Sequence, residues 1–338
     1  MQLALYCPDF GYYEKEKDNV GKQGDFITSV SIGSLFGELL AFQFAEWLAA
    51  GSEGAKSPVR IVEAGAHDGK LAADILTGLR ECSPGVFERL NYCVVEPSAR
   101  RKEWQRETLK GFEKQVTWVP EISSVKSIPA ALETIIFSNE LLDAMPIRRF
   151  GWDAKKKEWF EWGVGFDGGR FVWAQFPISD FRFPISDLER VLPDGYTIET
   201  SPAAENWWRE AANVLSRGKL VAIDYGLTAE EQFTPERTRG TLRAYYRHHA
   251  TDDVLANPGE QDLTAHVNFS AVQKIGEGAG LKTEMFCTQP QFLVRIAEKL
   301  FQRPDFFGKW DASRLRQFQT LTHPEHLGRA FRVLVQSR

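Results

Sequence analysis

The chain alternates between short apolar runs and longer segments with a helical period, and this alternation predicts an α/β fold. Runs rich in β-branched residues predict strands at 59–65, 92–97, 115–119, 133–140 and 218–226. Apolar residues at helical spacing predict helices at 37–50, 70–80 and 98–112. Because helices separate most successive strands, we expect βαβ units and a mostly parallel sheet.

The segment from 147 to 200 departs from this rhythm. Aromatic residues alternate there with other residues, and turn signals stand at Asp153 and at 167–169. This pattern predicts a β-hairpin or meander inserted into the core. Residues 289–327 look helical and are expected to form a lid or edge element, and 328–338 to add a terminal strand. We expect 1–30 to form loops and the whole chain, 1–338, to be a single domain.

Composition indicates a globular chain with a mild negative charge. Of its 338 residues, 43% are hydrophobic and 26% are charged, and 41 basic against 46 acidic side chains give a net charge of -5. This balance gives no electrostatic reason to expect nucleic acid and fits a basic protein or peptide partner. The basic and aromatic run at 243–247 mimics a nucleic-acid-binding surface, but the acidic residues Asp252 and Asp253 follow it closely. We therefore predict no nucleic-acid partner.

Cysteine usage and targeting signals bear on the cellular compartment. The four cysteines form no CxxC pair and no zinc spacing, which is typical of free thiols in a reducing compartment. The most apolar helix, 39–50, is interrupted by Gln43 and Glu46 and is too short to span a bilayer. The N-terminus lacks the pattern of a signal peptide. We expect no membrane insertion and a cytoplasmic location, with an organelle matrix left open if a presequence was removed.

Two polar signals stand where neighbouring strands are predicted to end. The first is Glu63-x-Gly65-x-His67-x-Gly69, where glycines let the backbone turn sharply and let a ligand lie against main-chain N–H groups. The second is Glu96, whose carboxylate can accept two hydrogen bonds from a ribose diol. Each alone is also compatible with an ordinary turn or an exposed carboxylate. Together they predict a nucleoside site in the crevice at the carboxyl ends of the strands.

A third signal, the run SNELLDAMP at 138–146, follows the strand 133–140. Asn139, Glu140 and Asp143 bring an amide and two carboxylates to the same edge of the sheet. We interpret them as substrate-binding groups. The alternative is that Asn139 caps a helix and that the two acids are solvated.

Three histidines invite a metal or general-base interpretation. His248 and His249 are adjacent and have no third ligand at a recognisable spacing, so we predict no metal site. His266 stands between Thr264 and Asn268 and is the better active-site candidate. Its alternative role is that of a hydrogen-bonded structural residue.

Five stretches together resemble the MidA-like protein arginine methyltransferase family, which includes the mitochondrial complex I assembly methyltransferase and many bacterial relatives. They keep the family's order, cover most of the chain, and read LALYCPDFGYY (3–13), GDFITSVSIGSLFGELLA (24–41), VEAGAHDGKLAADIL (62–76), SNELLDAMPIRRF (138–150) and GTLRAYYRHHATDDVLANPGEQDLTAHVNFSA (240–271). The resemblance implies a Rossmann-like class I methyltransferase sheet, in agreement with the βαβ pattern. It also implies S-adenosyl-L-methionine (SAM) as cofactor and a protein arginine side chain as acceptor; a homodimer is left open.

The resemblance further implies roles for individual residues. Those expected to hold the cofactor are Glu63, Gly65, His67, Gly69, Glu96, Asn139, Gly24 and Phe26. Those expected in catalysis are Asp143, Glu140, Asp25 and His266, with Asp262 and Glu260 in reserve. Residues 1–50 would supply a flap, centred on 24–26, and a helix. Asp262, Thr264, His266 and Asn268 would line the pocket from the far side.

An arginine acceptor demands carboxylates, because a guanidinium stays protonated to above about pH 12. A carboxylate can orient it through paired hydrogen bonds and take its proton as the methyl group arrives. Two departures from the family pattern affect this site. His67 replaces a middle glycine, so a Cβ restricts φ there and adds bulk. The flap lacks one glutamate, since Ser29, Val30 and Ser31 follow Thr28 where the family has x-Pro-Glu.

Other functions remain in competition at this level. A methyltransferase acting on a small molecule would share the same signals, because acceptor choice lies in inserted loops. A catalytically silent SAM-binding assembly factor is favoured slightly by the two departures. A nicotinamide oxidoreductase is disfavoured, because residues 65–70 do not match G-x-G-x-x-G.

Overall fold

A computed structural model describes residues 1–15, 28–50, 57–129, 131, 133–178, 192–246, 249–303, 310–328 and 330–338. Its helices are α1 (Gln2–Tyr6), α2 (Ser29–Ile32), α3 (Leu35–Ala50), α4 (Lys70–Cys82), α5 (Pro84–Phe87), α6 (Ala99–Thr108), α7 (Pro202–Val214), α8 (Ala229–Gln232), α9 (Phe269–Gly278), α10 (Gln289–Phe301) and α11 (Ala312–Thr322). Its strands are β1 (Val59–Ala64), β2 (Leu90–Val95), β3 (Val116–Val119), β4 (Glu133–Asn139), β5 (Arg148–Asp153), β6 (Glu158–Asp167), β7 (Arg170–Pro177), β8 (Thr197–Thr200), β9 (Gly218–Leu227), β10 (Arg243–Tyr246), β11 (His249–Thr251), β12 (Asp262–Thr264), β13 (Val267–Asn268), β14 (Lys282–Thr288) and β15 (Phe331–Ser337).

The central sheet has the order β14-β15-β9-β4-β1-β2-β3. Strands β1, β2, β3, β4 and β9 run parallel, whereas β15 and β14 continue the sheet antiparallel. The chain leaves β1 toward β2 and β3 and then crosses back to β4 on the opposite side of β1. This reversal between β1 and β4 is a topological switch point, where open α/β sheets form a ligand-binding crevice.

Two apolar layers bury the faces of this sheet. Every residue of β1 is buried, as expected for a strand covered on both faces. Ile61 packs into one layer together with residues of α3, α4 and α10. Val62 points the other way, into the layer that contains residues of α7 and α9. Because successive side chains of a strand point to opposite faces, β1 contributes to both apolar layers of the core.

Two smaller sheets flank the central one. A four-stranded antiparallel sheet, β7-β6-β5-β8, occupies part of the segment for which a hairpin or meander was predicted. A three-stranded sheet, β11-β10-β12, brings the distinctive segment 240–271 back toward the core. The predicted α/β fold, mostly parallel with an inserted antiparallel element and added helices, is confirmed.

The prediction of loops over residues 1–30 was wrong in part. Residues 2–6 form α1, and a further short helical turn covers Tyr12–Glu14. Leu5 and Tyr12 are buried in a small apolar cluster with Leu242, Ala244 and Leu263. One helical turn is too short to show a periodic pattern, and its stability comes from tertiary packing.

Candidate active site

A large cavity, of about 1020 Å³, lies at the carboxyl ends of β1, β2, β3 and β4. Residues that follow these strands form much of its wall, among them Gly65, Glu96, Pro120 and Glu140. Tyr6 and Tyr13 line it from the N-terminal segment. The cavity therefore occupies the crevice at the switch point, where the sequence predicted a nucleoside site.

The loop between β1 and α4 needs glycine at two positions for different reasons. Gly65 has φ of +79°, and a Cβ there would lie 3.1 Å from Cδ1 of Leu141. Gly69 has φ of +86° and is the N-cap of α4. A Cβ at Gly69 would lie 3.3 Å from Cα of Gln105 on α6. Gly65 thus borders the cavity, whereas Gly69 lets α6 pack against the loop and is not part of the cavity wall.

His67, at the position where the family pattern has a middle glycine, adopts a left-handed backbone. Its φ is +46°, a conformation that costs a non-glycine residue free energy. The imidazole lies 6.3 Å from the Trp104 ring and its Nδ1 lies 3.9 Å from Oδ1 of Asp68. His67 contributes to the cavity wall without filling the cavity. The added side chain is therefore accommodated at the rim.

Glu96 stands after β2, as predicted, and its carboxylate is held from several directions. Oε1 accepts hydrogen bonds from the backbone N–H of Ser98 at 2.9 Å and from Nε of Arg101 at 3.0 Å. The Arg101 guanidinium also forms an ion pair with Glu14 at 3.3 Å. Oε2 accepts a 2.8 Å hydrogen bond from the amide of Gln105. The carboxylate is thus fixed in orientation at the cavity wall.

Glu63 is the penultimate residue of β1, at the cavity, and its side chain is buried against a tyrosine. Oε2 accepts a 2.7 Å hydrogen bond from the Tyr92 hydroxyl. Burial raises the pKa of Glu63 to about 7, although the hydrogen bond from Tyr92 opposes this shift. Burial therefore favours the neutral form of this carboxyl far more than water does.

The end of β4 presents two buried acceptors, on Asn139 and Glu140, without a hydrogen-bond partner among the described residues. Oε1 of Glu140 accepts from the amide of Asn139 at 3.2 Å and from the backbone N–H of Ser29 at 3.3 Å. Oε2 of Glu140 and Oδ1 of Asn139 are buried and unpartnered there. Burial, followed by the charge of Asp224, raises the pKa of Glu140 to about 8. Glu140 also has a positive φ of 52°.

Asp143 forms a buried carboxyl pair with Asp224, which lies within β9. Their side chains are within hydrogen-bond contact, and Asp224 Oδ2 accepts from the backbone N–H of Leu141 and Leu142 at 3.1 and 2.8 Å. Burial and then the charges of Asp224 and Asp262 raise the pKa of Asp143 well above its ordinary value. Asp224 is therefore the acceptor of the pair, because its oxygens receive the backbone N–H groups, and Asp143 holds its proton more tightly.

The N-terminal segment contacts this buried acidic region through two tyrosines. The Tyr13 hydroxyl donates to Oδ1 of Asp262 at 2.7 Å, and the Tyr6 hydroxyl donates to the carbonyl oxygen of Ala144 at 3.0 Å. The two rings lie 5.6 Å apart. Glu140, Asp143, Asp224 and Asp262 form what we call the acidic cluster, because each raises the pKa of at least one other group in this region through its negative charge. The cluster favours a cationic ligand.

His266 and Asn268 lie elsewhere. They line a second cavity of about 160 Å³ together with Glu199, Thr200 and Gln232. Burial lowers the pKa of His266 to about 4, so its imidazole is neutral near pH 7. The structure therefore does not place His266 at the large cavity beside Glu140, and its catalytic role stays a prediction.

Four of the residues singled out in the sequence lie outside the described residues. They are Gly24, Asp25, Phe26 and His248. Among described residues, no group of three or more His, Cys, Asp or Glu could hold a metal ion, and no helix is long and apolar enough to cross a membrane.

The sequence analysis did not select Asp224, Tyr6 or Tyr13 as site residues. A signal for Asp224 was present, because an aspartate inside the apolar run LVAIDYG must find partners when it is buried. The contacts of Tyr6 and Tyr13 reach across the fold, so no local pattern indicated them.

Comparisons with known proteins agree with this geometry. Residues 39–287 match the model of a family described as "Putative S-adenosyl-L-methionine-dependent methyltransferase". The chain is 30% identical over 365 residues to a Drosophila melanogaster protein named protein arginine methyltransferase NDUFAF7 homolog, mitochondrial, with 99% of this chain and 79% of the relative covered. It is 28% identical over 358 residues to the corresponding Danio rerio protein, with 98% and 80% covered.

A solved structure is similar over the whole chain. A Burkholderia thailandensis protein, crystallised with S-adenosyl-homocysteine bound, superposes with a TM-score of 0.84 at 33% sequence identity. The similarity covers 100% of this chain and 86% of that protein.

Proposed function

The chain belongs to this family of S-adenosyl-L-methionine-dependent methyltransferases, and on that premise we propose that its methyl acceptor is an arginine side chain of a protein. The names of the curated relatives supply the acceptor class. The acidic cluster, whose member Glu140 lines the large cavity, supplies the physical argument. Its buried carboxyls raise one another's pKa values, and a cation bound among them relieves that repulsion.

The cavity fits the cofactor, SAM. The bare backbone at Gly65 admits a ligand against the loop, and Glu96 would hold the ribose. Oε2 of Glu96 has room to accept a further hydrogen bond beside the one from Gln105. Glu63, His67 and Asn139 also border this space. Gly69 would act indirectly, by packing the loop against α6.

SAM, when bound, supplies a methyl group attached to a positively charged sulfur. The chain's own residues must then hold the acceptor nitrogen in line and exclude water, which lowers the barrier by several kcal/mol. Oε2 of Glu140 and Oδ1 of Asn139 would receive N–H groups of the guanidinium, because both are buried acceptors without a described partner.

The same carboxyls would manage the proton that the acceptor loses. Glu140 has a pKa of about 8 in the free protein, so it binds a proton when no cation is present. A guanidinium bound to its carboxylate would displace that proton and lower the pKa. Asp143, paired with Asp224, would stand as the next acceptor. Asp25 and the flap around Gly24 and Phe26 remain proposed contributors.

Location and partners are proposed more broadly. The relatives are named mitochondrial, which agrees with the organelle matrix that the sequence left open. A cytoplasmic location and a homodimer both stay predictions. The acceptor, a protein, is expected to present its arginine on an accessible segment that reaches the cavity beside Tyr6 and Tyr13.

Methylation of a protein extract with isotope-labelled SAM tests the proposal. We expect labelled methylarginine after acid hydrolysis, and a drop of about a hundredfold or more for Asp143→Asn. The affinity of Asp143→Asn for S-adenosylhomocysteine should match that of the wild type, which separates lost chemistry from lost folding. Labelled products without methylarginine would favour a small-molecule acceptor, and binding without any product would favour a silent factor; either result contradicts the proposal.

A further inference from the structure

We propose that Gln105 is a positioning residue that holds the Glu96 carboxylate and the His67 loop in one fixed arrangement. Gln105 lies on α6, is fully buried and is not part of the cavity wall. It therefore acts on the cofactor only through other residues. The inference rests on the proposed function in one respect, the role of Glu96 as the ribose acceptor.

One side-chain amide joins three separate parts of the site. Nε2 of Gln105 donates to Oε2 of Glu96 at 2.8 Å and to the carbonyl oxygen of His67 at 3.0 Å. Oε1 of Gln105 accepts a 3.0 Å hydrogen bond from the indole N–H of Trp118 on β3. The end of β2, the loop after β1 and strand β3 are thus tied together by one residue.

The chemistry of these partners admits an amide in one orientation only. The Trp118 indole is a donor only, so it must face the amide oxygen. The Glu96 carboxylate and the His67 carbonyl are acceptors, so they must face Nε2. A glutamate at position 105 would place an anion beside Glu96, and a leucine would leave buried polar groups without partners. Neither change is neutral here.

Gln105 contacts the oxygen of Glu96 that has capacity for a ligand. Oε1 of Glu96 already accepts from Ser98 and from two nitrogens of Arg101. Oε2 carries the hydrogen bond from Gln105. The bond occupies one of the two acceptor directions of Oε2, so a ribose hydroxyl can bind along the other.

The second contact of Gln105 supports a strained backbone. His67 is held at a φ of +46°, which a non-glycine residue adopts at a cost. The hydrogen bond from Gln105 fixes the carbonyl of His67 in that conformation. Gly69 allows it, because its missing Cβ lets the loop approach Cα of Gln105. Gln105 therefore couples the position of the Glu96 carboxylate to the conformation of the His67 loop.

The chain contains a matched control in Gln336. This residue is also fully buried, accepts from the indole of Trp208 at 2.9 Å, and donates to the carbonyl of Gln273 at 2.9 Å and to Oγ1 of Thr283 at 3.0 Å. It lies on β15, away from the large cavity. Gln336→Leu therefore removes the same kinds of hydrogen bond without touching the cofactor site.

Calorimetry with S-adenosylhomocysteine on Gln105→Leu, Gln336→Leu, Glu96→Gln and the Glu96→Gln/Gln105→Leu double variant tests the inference. Both leucine variants should lower the melting temperature. We expect Gln105→Leu to weaken binding about tenfold to a hundredfold and Gln336→Leu to change it less than about twofold. In the Glu96→Gln background, Gln105→Leu should add less than about threefold, because the two residues act as one unit.

Trp118→Phe keeps Gln105 but removes the bond that orients its amide, and it covers the case in which Gln105→Leu does not fold. It should weaken binding at least about threefold. Wild-type affinity in Gln105→Leu or Trp118→Phe, or a full additional loss in the double variant, would overturn the inference while Glu96 keeps its role. Wild-type affinity in Glu96→Gln would overturn the ribose role itself, and the inference with it.

Discussion

The Tyr13 hydroxyl donates a 2.7 Å hydrogen bond to Oδ1 of Asp262, although 249 positions separate the two residues. This bond joins the N-terminal segment to the acidic cluster. Burial and the charge of Asp262 raise the pKa of Tyr13 well above its ordinary value, so the tyrosine remains a donor at any pH at which the protein works. The N-terminal segment is therefore a structural part of the site.

Removing this donor should cost both stability and activity. Tyr13→Phe leaves Asp262 with one hydrogen bond fewer in a buried place, so the free energy of unfolding should fall by about 1–3 kcal/mol in urea titration. The kcat/KM for the acceptor should fall about tenfold or more. Tyr196→Phe is the control, since Tyr196 donates to the carbonyl of Thr234 far from the cavity. It should lose stability and keep kcat/KM; equal losses of activity in both variants would contradict the role of Tyr13.

Activity and stability should depend on pH in opposite directions through Glu140. Its folded pKa is about 8, raised by burial and by Asp224, against an ordinary value of 4.5. The charged form binds the cationic acceptor, so kcat/KM should rise with pH and level off above about 8. The folded state binds this proton more tightly than the unfolded state does, so stability is full below about 4.5 and is lost as pH rises through about 8.

Glu140→Gln should remove the inflection in kcat/KM and weaken the pH dependence of the melting temperature. The dependence should not vanish, because burial raises the pKa of Glu63 and of Asp224 to about 7 as well. Glu298→Gln, an exposed carboxyl on α10, is the control and should leave both profiles unchanged. A Glu140→Gln profile that superposes on the wild type would remove Glu140 from the mechanism.

Comparing two glycines with similar φ angles distinguishes backbone strain from contact with the cofactor. Gly65 and Gly111 have φ of +79° and +94°, so alanine at either position should cost about 1 kcal/mol or more of stability. A Cβ at Gly111 meets nothing within 4 Å, whereas one at Gly65 meets Leu141 at the cavity. Only Gly65→Ala should therefore weaken binding of S-adenosylhomocysteine, by about tenfold in calorimetry. Equal affinities in the two variants would mean that the loop backbone does not contact the cofactor.

His67→Gly tests whether the imidazole restricts the cofactor site. Glycine adopts the φ of +46° without steric cost, and the ring that it removes lies beside Trp104 at the rim. We expect the affinity for S-adenosylhomocysteine to change by less than about threefold. An increase of tenfold or more would show that His67 obstructs the cavity.

Local patterns predicted the elements of the sheet because each strand and helix carries its own periodicity. The run VRIVEAG predicted β1, and the structure ends that strand within one residue of the prediction. The same reasoning brought Gly65, Glu96 and Glu140 to one edge, since the carboxyl ends of parallel strands meet there. These inferences needed no knowledge of distant contacts.

Residues whose partners lie in other sheets escaped this reasoning. Asp262 and His266 are four positions apart and would face the same side of a continuous strand. In the structure, β12 pairs with β10 and ends at Thr264, whereas β13 begins at Val267 and pairs with β9. The alternation is lost between them, so Asp262 reaches the acidic cluster while His266 reaches the second cavity.

The position of strand β9 in the sheet also bears on the order in which parts of the site unfold. Its residues from Lys219 to Ile223 are paired with β4 on one side and with β15 on the other, and Asp224 follows directly. Amide protons of such a doubly flanked strand exchange with solvent only when the whole protein opens. The side chains that hold the Glu96 carboxylate, those of Arg101 and Gln105, stand instead on the helix α6. Gradual heating should thus free the Glu96 carboxylate from these partners before it displaces Asp224, which stays in place until the fold itself melts.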